Sequence, residues 1–178
     1  MCAIEYYTYD DYKQWEGKWE LIYGQAIAMA PAPKIDHQVL AAEIAYELRR
    51  NLECEECAVV LEEDWIIDED LVLKPDVALI CNERGDFITK APKIIVEVVS
   101  PSTAKRDEKI KFEIYEKEKV PYYILVYPNF LKAKIYKLID GKYDKVGDFV
   151  EEEAIFDLEC ATKIDFASVF RRLKKFRE

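Results

Sequence analysis

Residues 94–128 read IIVEVVSPSTAKRDEKIKFEIYEKEKVPYYILVYP, and this stretch decides the fold. It opens within the run Lys93 to Ser100, in which Glu97 interrupts Ile and Val and no polar alternation occurs. Such a run is typical of a strand that is buried on both faces of a sheet. Pro101-Ser102-Thr103 then ends the strand and offers an N-cap for a following helix.

The rest of the stretch predicts a crossover connection. A helix is expected from about Ala104 to Lys119, and Tyr122 to Tyr127 (YYILVY) forms a second buried strand. A strand, a helix and a strand in succession favour a right-handed parallel crossover. We therefore expect an α/β fold with a mixed β-sheet flanked by helices.

The flanking segments add further elements around this unit. Trp19 to Met29 (WELIYGQAIAM) predicts an N-terminal hairpin that turns near Gly24, and Lys132 to Val146 predicts a C-terminal hairpin around Asp140-Gly141. Two more strands are predicted at Ala58–Leu61 and Leu71–Cys81. A helix capped by Asp36 is predicted to have an apolar face made of Val39, Leu40, Ile44, Leu48 and Leu52. A last helix capped by Asp165 is predicted to have a buried side made of Phe166, Val169, Phe170, Leu173 and Phe176. Without a repeat or a linker, residues 1–178 are expected to form a single domain.

The composition is that of a folded, acidic protein. The 178 residues are 51% hydrophobic, and 26 Lys and Arg stand against 36 Asp and Glu, which gives a net charge of −10. No apolar run approaches the roughly 20 residues of a membrane span, and the N-terminus lacks a basic start and an apolar stretch. The five cysteines are irregularly spaced, unlike a secreted disulfide framework, so we expect reduced thiols and a cytoplasmic protein.

Two acidic residues stand where a charge is costly. Glu97 lies inside the buried strand, and Asp76 follows Pro75 at the head of the apolar run Val77 to Ile80. An ionised carboxylate in such a place destabilises the fold unless a cation or hydrogen bonds compensate it. If the two strands form an antiparallel pair through the loop containing Gly85-Asp86, Asp76 falls opposite Glu97.

A facing pair of carboxylates predicts a shared divalent cation, because cross-strand Cβ atoms lie only about 4.5–5.5 Å apart. Oxygen ligands suit Mg²⁺ or Mn²⁺, and a single histidine, His37, excludes a histidine-rich zinc site. Two alternatives stay open. Asp76 could be a turn or cap residue, and Glu97 could form a structural ion pair with a buried Lys or Arg.

The predicted helix adds a basic group near these acids. Asp107, Lys111 and Tyr115 follow one another at four-residue steps and therefore share one helix face. A lysine beside the acidic pair would orient an attacking water and offset the charge that develops on phosphorus. The alternative is an exposed Lys111 paired with Asp107, with Tyr115 packing beside the site.

The same residues carry a family resemblance. Pro75 to Pro128 resembles the bacterial restriction-endonuclease-like family Uma-two, whose pattern is Pro-Asp, Glu-Val with Ser-Pro-Ser-Thr, then Asp, Lys and Tyr at four-residue steps, then Val-Pro and a Tyr-containing strand. The matching residues are Pro75, Asp76, Glu97, Val98, Ser100, Pro101, Ser102, Thr103, Asp107, Lys111, Tyr115, Val120, Pro121 and Tyr123. Trp19-Glu20-Leu21 before Gly24, and Ala30-Pro31-Ala32-Pro33 before His37, extend the resemblance over about residues 6–130.

The resemblance implies the PD-(D/E)XK nuclease fold and metal-dependent hydrolysis of phosphodiester bonds. It implies that Asp76 and Glu97 are catalytic metal ligands and that the Val98 carbonyl is a further ligand. The superfamily usually places a lysine two residues after the Glu, where this chain has Val99. Lys111, which the family pattern carries on the following helix, is the implied catalytic replacement.

Other residues are candidates for substrate binding or for the metal's surroundings. His37, Lys105 and Tyr115 are predicted to bind substrate, with a helix cap as the alternative for His37. Glu20 and Glu43 are candidates for an additional acid near the metal.

Cys54 and Cys57 form a Cys-x-x-Cys motif. The motif is half of a zinc site or a redox pair, but the sequence offers no second such pair and no nearby histidine. We interpret these cysteines as two ordinary thiols in a turn between a helix and a strand.

These observations predict a Mg²⁺-dependent endonuclease that acts on DNA. The alternative is a non-cleaving binding or accessory protein of a mobile-element or defence complex that retains the nuclease fold. Residues 53–70 hold nine acids and no Lys or Arg, which leaves 26 positive and 27 negative charges elsewhere. Lys105 and its basic neighbours, with a C-terminal basic cluster at residues 171–177, could therefore still contact phosphates. We expect weak, salt-sensitive DNA binding, and a homodimer would suit duplex cleavage.

Overall fold

The computed structural model describes residues 5–29 and 34–178. The helices are α1 (Tyr9–Tyr12), α2 (Ile35–Arg50), α3 (Phe112–Lys117) and α4 (Phe166–Arg177). The strands are β1 (Trp19–Ile22), β2 (Gln25–Ala28), β3 (Cys57–Leu61), β4 (Trp65–Asp68), β5 (Leu71–Leu73), β6 (Val77–Cys81), β7 (Ile94–Val98), β8 (Tyr122–Tyr127), β9 (Lys132–Ile139), β10 (Lys142–Phe149), β11 (Glu153–Phe156) and β12 (Thr162–Asp165). None of the helices in these described ranges is long and apolar enough to cross a membrane.

A six-stranded mixed sheet forms the centre of the fold, with strand order β10-β9-β8-β7-β6-β3. β7 and β8 are parallel, with Ile94 opposite Tyr122 and Val98 opposite Val126. The other neighbouring pairs are antiparallel. The predicted α/β class, the mixed sheet and the parallel connection are thus confirmed.

The connection from β7 to β8 differs from the predicted single α-helix. Arg106–Lys111 form a π-helix, in which each N–H bonds the carbonyl five residues earlier, and α3 continues from it. The predicted face is nevertheless kept, because Asp107, Lys111 and Tyr115 are all buried. The expectation of an exposed Lys111 is therefore wrong.

Alternate residues of the central strands pack into two separate cores, one on each face of the sheet. Along β7, Ile94 and Val96 belong to one core, and Ile95 belongs to the other. Glu97, one position beyond Val96, therefore points to the same face as Ile95. That face also carries Tyr115, so the crossover helix covers Glu97.

A second sheet, of order β2-β1-β5-β4, contains the predicted N-terminal hairpin. Its turn places Tyr23 and Gly24 at positive φ, the conformation that a two-residue hairpin loop requires. The prediction of one strand over Leu71 to Cys81 is wrong. The segment is divided at Pro75, which lacks the N–H that a strand ladder needs, and β5 and β6 belong to different sheets.

The two long helices pack in the core on the other face. Leu40, Ile44 and Leu48 of α2 lie in one hydrophobic cluster with Phe170 and Leu173 of α4. These two apolar faces agree with the sequence pattern.

The helix ends correct two details. Lys34, not Asp36, is the N-cap of α2, and Asp36 instead accepts a hydrogen bond from Arg177 at 2.7 Å. Asp165 does cap α4, because its side chain accepts a hydrogen bond from the Ser168 N–H at 3.2 Å. Phe176 is exposed rather than buried.

The C-terminal hairpin is confirmed and is longer than expected. β9 and β10 pair over their whole length, with a bulge between Lys145 and Gly147. A further antiparallel pair, β11 and β12, precedes α4 and is not indicated by the sequence pattern.

Four of the five cysteines are paired in the structure. Cys54 joins Cys160, and Cys57 joins Cys81, each pair at disulfide-bonding distance. The interpretation of Cys54 and Cys57 as two ordinary thiols in a turn is corrected, because the Sγ of each lies beside that of a distant cysteine. Their partners lie 106 and 24 residues away, so only the tertiary fold reveals them. Cys2 lies outside the described residues.

Candidate functional site

Asp76 and Glu97 face each other across β6 and β7. The two strands pair with Val77 opposite Val96, so the residue before Val77 stands opposite the residue after Val96. The predicted register is therefore confirmed. Asp76 Oδ2 also accepts a hydrogen bond from the Val98 N–H at 2.7 Å, which fixes this carboxylate to the end of β7.

Glu97 is 3% exposed and receives two side-chain hydrogen bonds. Lys111 Nζ and Tyr115 Oη each donate to Glu97 Oε1 at 2.8 Å. Burial raises the pKa of Glu97 well above its usual value, Lys111 opposes this rise, and the nearby Asp76 adds to it. The site therefore disfavours an uncompensated negative charge at this position.

Lys111 is 1% exposed and lies between two carboxylates. Its Nζ is 2.8 Å from Glu97 Oε1 and 2.7 Å from Glu20 Oε1. Burial works against the charged ammonium, but the carboxylates of Glu20 and Glu97 outweigh it and raise the pKa of Lys111 above its usual value. The lysine is therefore held in its charged form.

Glu20 is the most deeply buried acid of the site and comes from the second sheet, on β1. Besides Lys111, its Oε1 accepts a hydrogen bond from the Lys74 N–H at 3.1 Å. Its Oε2 is buried without a hydrogen-bond partner among the described residues, although Arg106 Nε lies 3.4 Å away. The sequence signal for this residue was weak, a single acid in a short apolar strand.

Glu43, the other candidate acid, lies elsewhere. Its side chain on α2 faces Arg172, with Oε1 3.9 Å from Nε. Glu20 therefore joins the acidic pair through Lys111, and Glu43 contacts the C-terminal helix instead.

His37 lies in the first turn of α2, and its side chain reaches the acidic pair. Nε2 is 3.0 Å from Asp76 Oδ2, and the imidazole is largely buried. Burial lowers the pKa of His37, but the hydrogen bond to Asp76 and the nearby negative charges of Asp76, Glu62 and Asp107 together outweigh it and raise the pKa above its usual value. The structure thus connects α2 to the site through a side-chain contact rather than a helix cap.

The remaining candidates occupy different positions. Tyr115 donates to Glu97 while its ring stacks on Trp65, with ring centroids 5.9 Å apart. Val98 is buried at the end of β7, with its N–H bound to Asp76. Lys105 is exposed at the start of the π-helix. Asp107 is buried, and this burial raises the pKa of its carboxyl group.

Part of the acidic segment is neutralised by neighbouring lysines. Lys74 Nζ lies 2.5 Å from Asp64 Oδ1, and Lys18 pairs with Glu62. Tyr12 also donates to Asp64 at 2.8 Å. These contacts hold two of the nine acids of residues 53–70 against the second sheet.

The fold has a solved counterpart. A protein described as "a putative nuclease belonging to DUF820" from Anabaena variabilis ATCC 29413 superposes with a TM-score of 0.74 and 17% sequence identity. The match covers 93% of this chain and 98% of that chain. At this identity the likeness shows the fold, and the predicted fold class is confirmed.

The sequence comparisons agree. An "Uncharacterized protein slr1290" of Synechocystis sp. is 29% identical over 171 residues, which are 90% of this chain and 84% of that protein. The family model Uma2, described as "Putative restriction endonuclease", matches residues 9–165. Because this match covers most of the sequence, the chain belongs to the Uma2 family.

Proposed function

We propose that the protein is a divalent-metal-dependent endonuclease that hydrolyses phosphodiester bonds of DNA. In this proposal Asp76 and Glu97 hold Mg²⁺ or Mn²⁺, and Lys111 assists the attacking water. The observation that carries it is the pair of facing carboxylates at the ends of two central strands, with a charged lysine bound to one of them. Membership of a family of nuclease-like proteins supports the same chemistry.

The donor groups fit a hard divalent cation. Asp76, Glu97 and the Val98 carbonyl offer only oxygen, the ligand that Mg²⁺ and Mn²⁺ prefer. In the described part of the chain, the hydrogen bonds and ion pairs of the two acids use Asp76 Oδ2 and Glu97 Oε1. Their second oxygens are thus available as ligands. When bound, such a cation supplies Lewis-acid activation of water and phosphate.

The chain's own residues then have separate tasks. Lys111 keeps a positive charge at Nζ beside Glu97, where it orients the water and offsets charge that develops on the phosphate. Glu20 fixes Nζ from the opposite side. Tyr115 holds the Glu97 carboxylate in place, and His37, which donates to Asp76, is the proposed substrate-binding residue of α2.

DNA is the proposed substrate, held by exposed basic residues of the crossover helix. Lys105 and Lys109 are exposed on it. The acidic residues 53–70 oppose this attraction, since a Debye length of about 8 Å does not hide them from bound DNA. Affinity for plain duplex is therefore expected to be weak and to fall steeply with salt.

A second candidate is a non-cleaving binding protein that keeps the nuclease fold. Two observations favour it, the presence of Val99 where the superfamily usually has lysine and the depth of the site. Asp76, Glu97 and Lys111 are 8%, 3% and 1% exposed, so little of the constellation meets solvent. In this case Lys111 would serve only as a structural counter-ion for the two glutamates.

Cleavage and metal binding separate the two candidates. Supercoiled plasmid is incubated with Mg²⁺ or Mn²⁺ and with the wild type, Asp76→Asn, Glu97→Gln or Lys111→Ala, and Glu43→Gln serves as an acid-to-amide control outside the site. The nuclease proposal expects cleavage by the wild type and the control only. Equal cleavage by all variants overturns it. Calorimetric binding of Mn²⁺ that requires Glu97, without cleavage, points to the second candidate.

A further inference from the structure

Four cysteines from three separate parts of the chain meet at one end of the central sheet. Cys54 lies in the connection after α2, and Cys57 begins β3. Cys81 ends β6 directly opposite Cys57, and Cys160 lies between β11 and β12. All four line one cavity of about 470 Å³.

Three of the four sulfur atoms form one cluster that links the two pairs. The Sγ atoms of Cys54, Cys57 and Cys160 all lie within 4.8 Å of one another. The Sγ of Cys81 is at bonding distance from that of Cys57. Two independent disulfides require closeness only within each pair. Cys54 and Cys57 belong to different pairs, and the closeness of their sulfurs is what a shared metal ion requires.

We propose that these four cysteines bind one zinc ion as a structural tetrathiolate site. The Cys-x-x-Cys spacing of Cys54 and Cys57 is that of zinc sites closed by four protein ligands. The fold supplies the second pair that is not evident in the sequence, Cys81 and Cys160. In this proposal the four residues are thiols in the folded protein and are not joined as disulfides. On binding, each thiol releases its proton to solvent and the thiolates become the ligands, so no oxidation or reduction is needed.

The surroundings favour a cation. Glu56, Asp157 and Glu159 line the same cavity, and Lys93 is the one basic residue among its lining residues. These carboxylates increase the local concentration of a divalent ion, although the thiolates provide the bonds.

The site would stabilise the fold at a point distant from the carboxylates. It would join the β11–β12 hairpin, and with it α4, to the edge strand β3 and to β6. Cys81 ends β6 whereas Asp76 precedes it, which is a separation of about 16 Å along the strand. Zinc bound to the cysteines can therefore be distinguished from a metal at Asp76 and Glu97.

Metal and thiol content test the proposal on the full chain. Cells are lysed in denaturant with a chelator and an alkylating agent, without a reductant, and the alkylated cysteines are counted by mass spectrometry. Natively purified protein is analysed for zinc. We expect five alkylated cysteines and one zinc per chain. A single alkylated cysteine and no zinc would mean two disulfides and would overturn the proposal.

Variants and cobalt substitution make the test independent of folding defects. Cys54→Ser and Cys160→Ser should lower the zinc content to a small fraction, and Cys2→Ser is the matched control that should keep it. Asp76→Asn with Glu97→Gln should also leave zinc unchanged. In the wild type, Co²⁺ in place of zinc should give the intense visible absorption of a tetrahedral thiolate complex. Weak absorption typical of oxygen ligands would contradict the assignment.

Discussion

Lys111 Nζ lies 2.8 Å from Glu97 Oε1 although 14 residues separate the two along the chain. The lysine reaches the carboxylate from the crossover helix, over the face of the sheet to which Glu97 points. Val99, two residues after Glu97, packs instead in the same hydrophobic core as Tyr115. The crossover helix therefore supplies the positive charge beside Glu97 through Lys111. The charge is present although no lysine stands two residues after the glutamate.

The buried charges make a first prediction about stability. Lys111→Met leaves Glu20 and Glu97 without their shared cation, so the free energy of unfolding should fall by about 3–5 kcal/mol. Adding Glu20→Gln and Glu97→Gln removes the uncompensated charges and should restore part of the loss. Urea denaturation of the single and triple variants measures both effects. A loss below about 1 kcal/mol in Lys111→Met would show that the ion pairs are not formed in solution.

Metal binding should stabilise the folded chain. A ligand that binds only the native state contributes about 2.7 kcal/mol at about 100 times its Kd. Thermal unfolding with increasing Mn²⁺ should therefore move to higher temperature in the wild type and in Glu43→Gln, but not in Asp76→Asn. In all of these samples the cysteines are neither alkylated nor substituted. An equal shift in Asp76→Asn would place the ion elsewhere.

The Tyr115 hydroxyl should affect both stability and activity. Tyr115→Phe keeps the ring on Trp65 and removes one hydrogen bond to Glu97, a loss of about 1–3 kcal/mol when a charged partner is involved. We expect plasmid cleavage to fall severalfold, with Lys111 still in place. Tyr143→Phe, which removes a hydroxyl bound to the Val120 carbonyl, is the control. Unchanged cleavage in Tyr115→Phe would exclude a positioning role.

Glu116 gives a prediction for pH. Hydrogen bonds from Lys142 Nζ and the Tyr143 N–H, both at 2.7 Å, lower its pKa below the ordinary value of 4.5. Its stabilising effect is present above the unfolded pKa and is lost as the pH falls through the folded pKa. The difference in stability between wild type and Glu116→Gln should be largest near neutral pH and vanish in acid. A difference that persists unchanged in acid would refute this.

The salt dependence of DNA binding tests whether Lys105 contacts a phosphate. Removing one phosphate contact by Lys105→Ala should reduce the slope of log affinity against log salt by about 0.9. Lys163→Ala is the control, because Lys163 pairs with Glu153 on the hairpin before α4. Equal slopes for both variants would remove Lys105 from the interface. Nanomolar affinity of the wild type for plain duplex at physiological salt would contradict the expected weakness.

The sequence predicts the acidic pair because local pairing determines it. β6 and β7 are neighbours in the chain, and their antiparallel register follows from the loop that joins them. The role of Glu20 depends on how the second sheet lies against the crossover helix, which no local pattern contains. The π-helix and the meeting of Cys54 with Cys160 depend in the same way on tertiary contacts.

The bulge in β10 has a consequence for self-association. β10 is one of the two edge strands of the central sheet, and an unprotected edge can recruit a strand from another molecule. The register break between Lys145 and Gly147, together with lysines at 142 and 145 and aspartates at 144 and 148, makes this edge irregular and charged. Such an edge disfavours intermolecular sheet extension, so a second copy of the chain would have to associate through another surface.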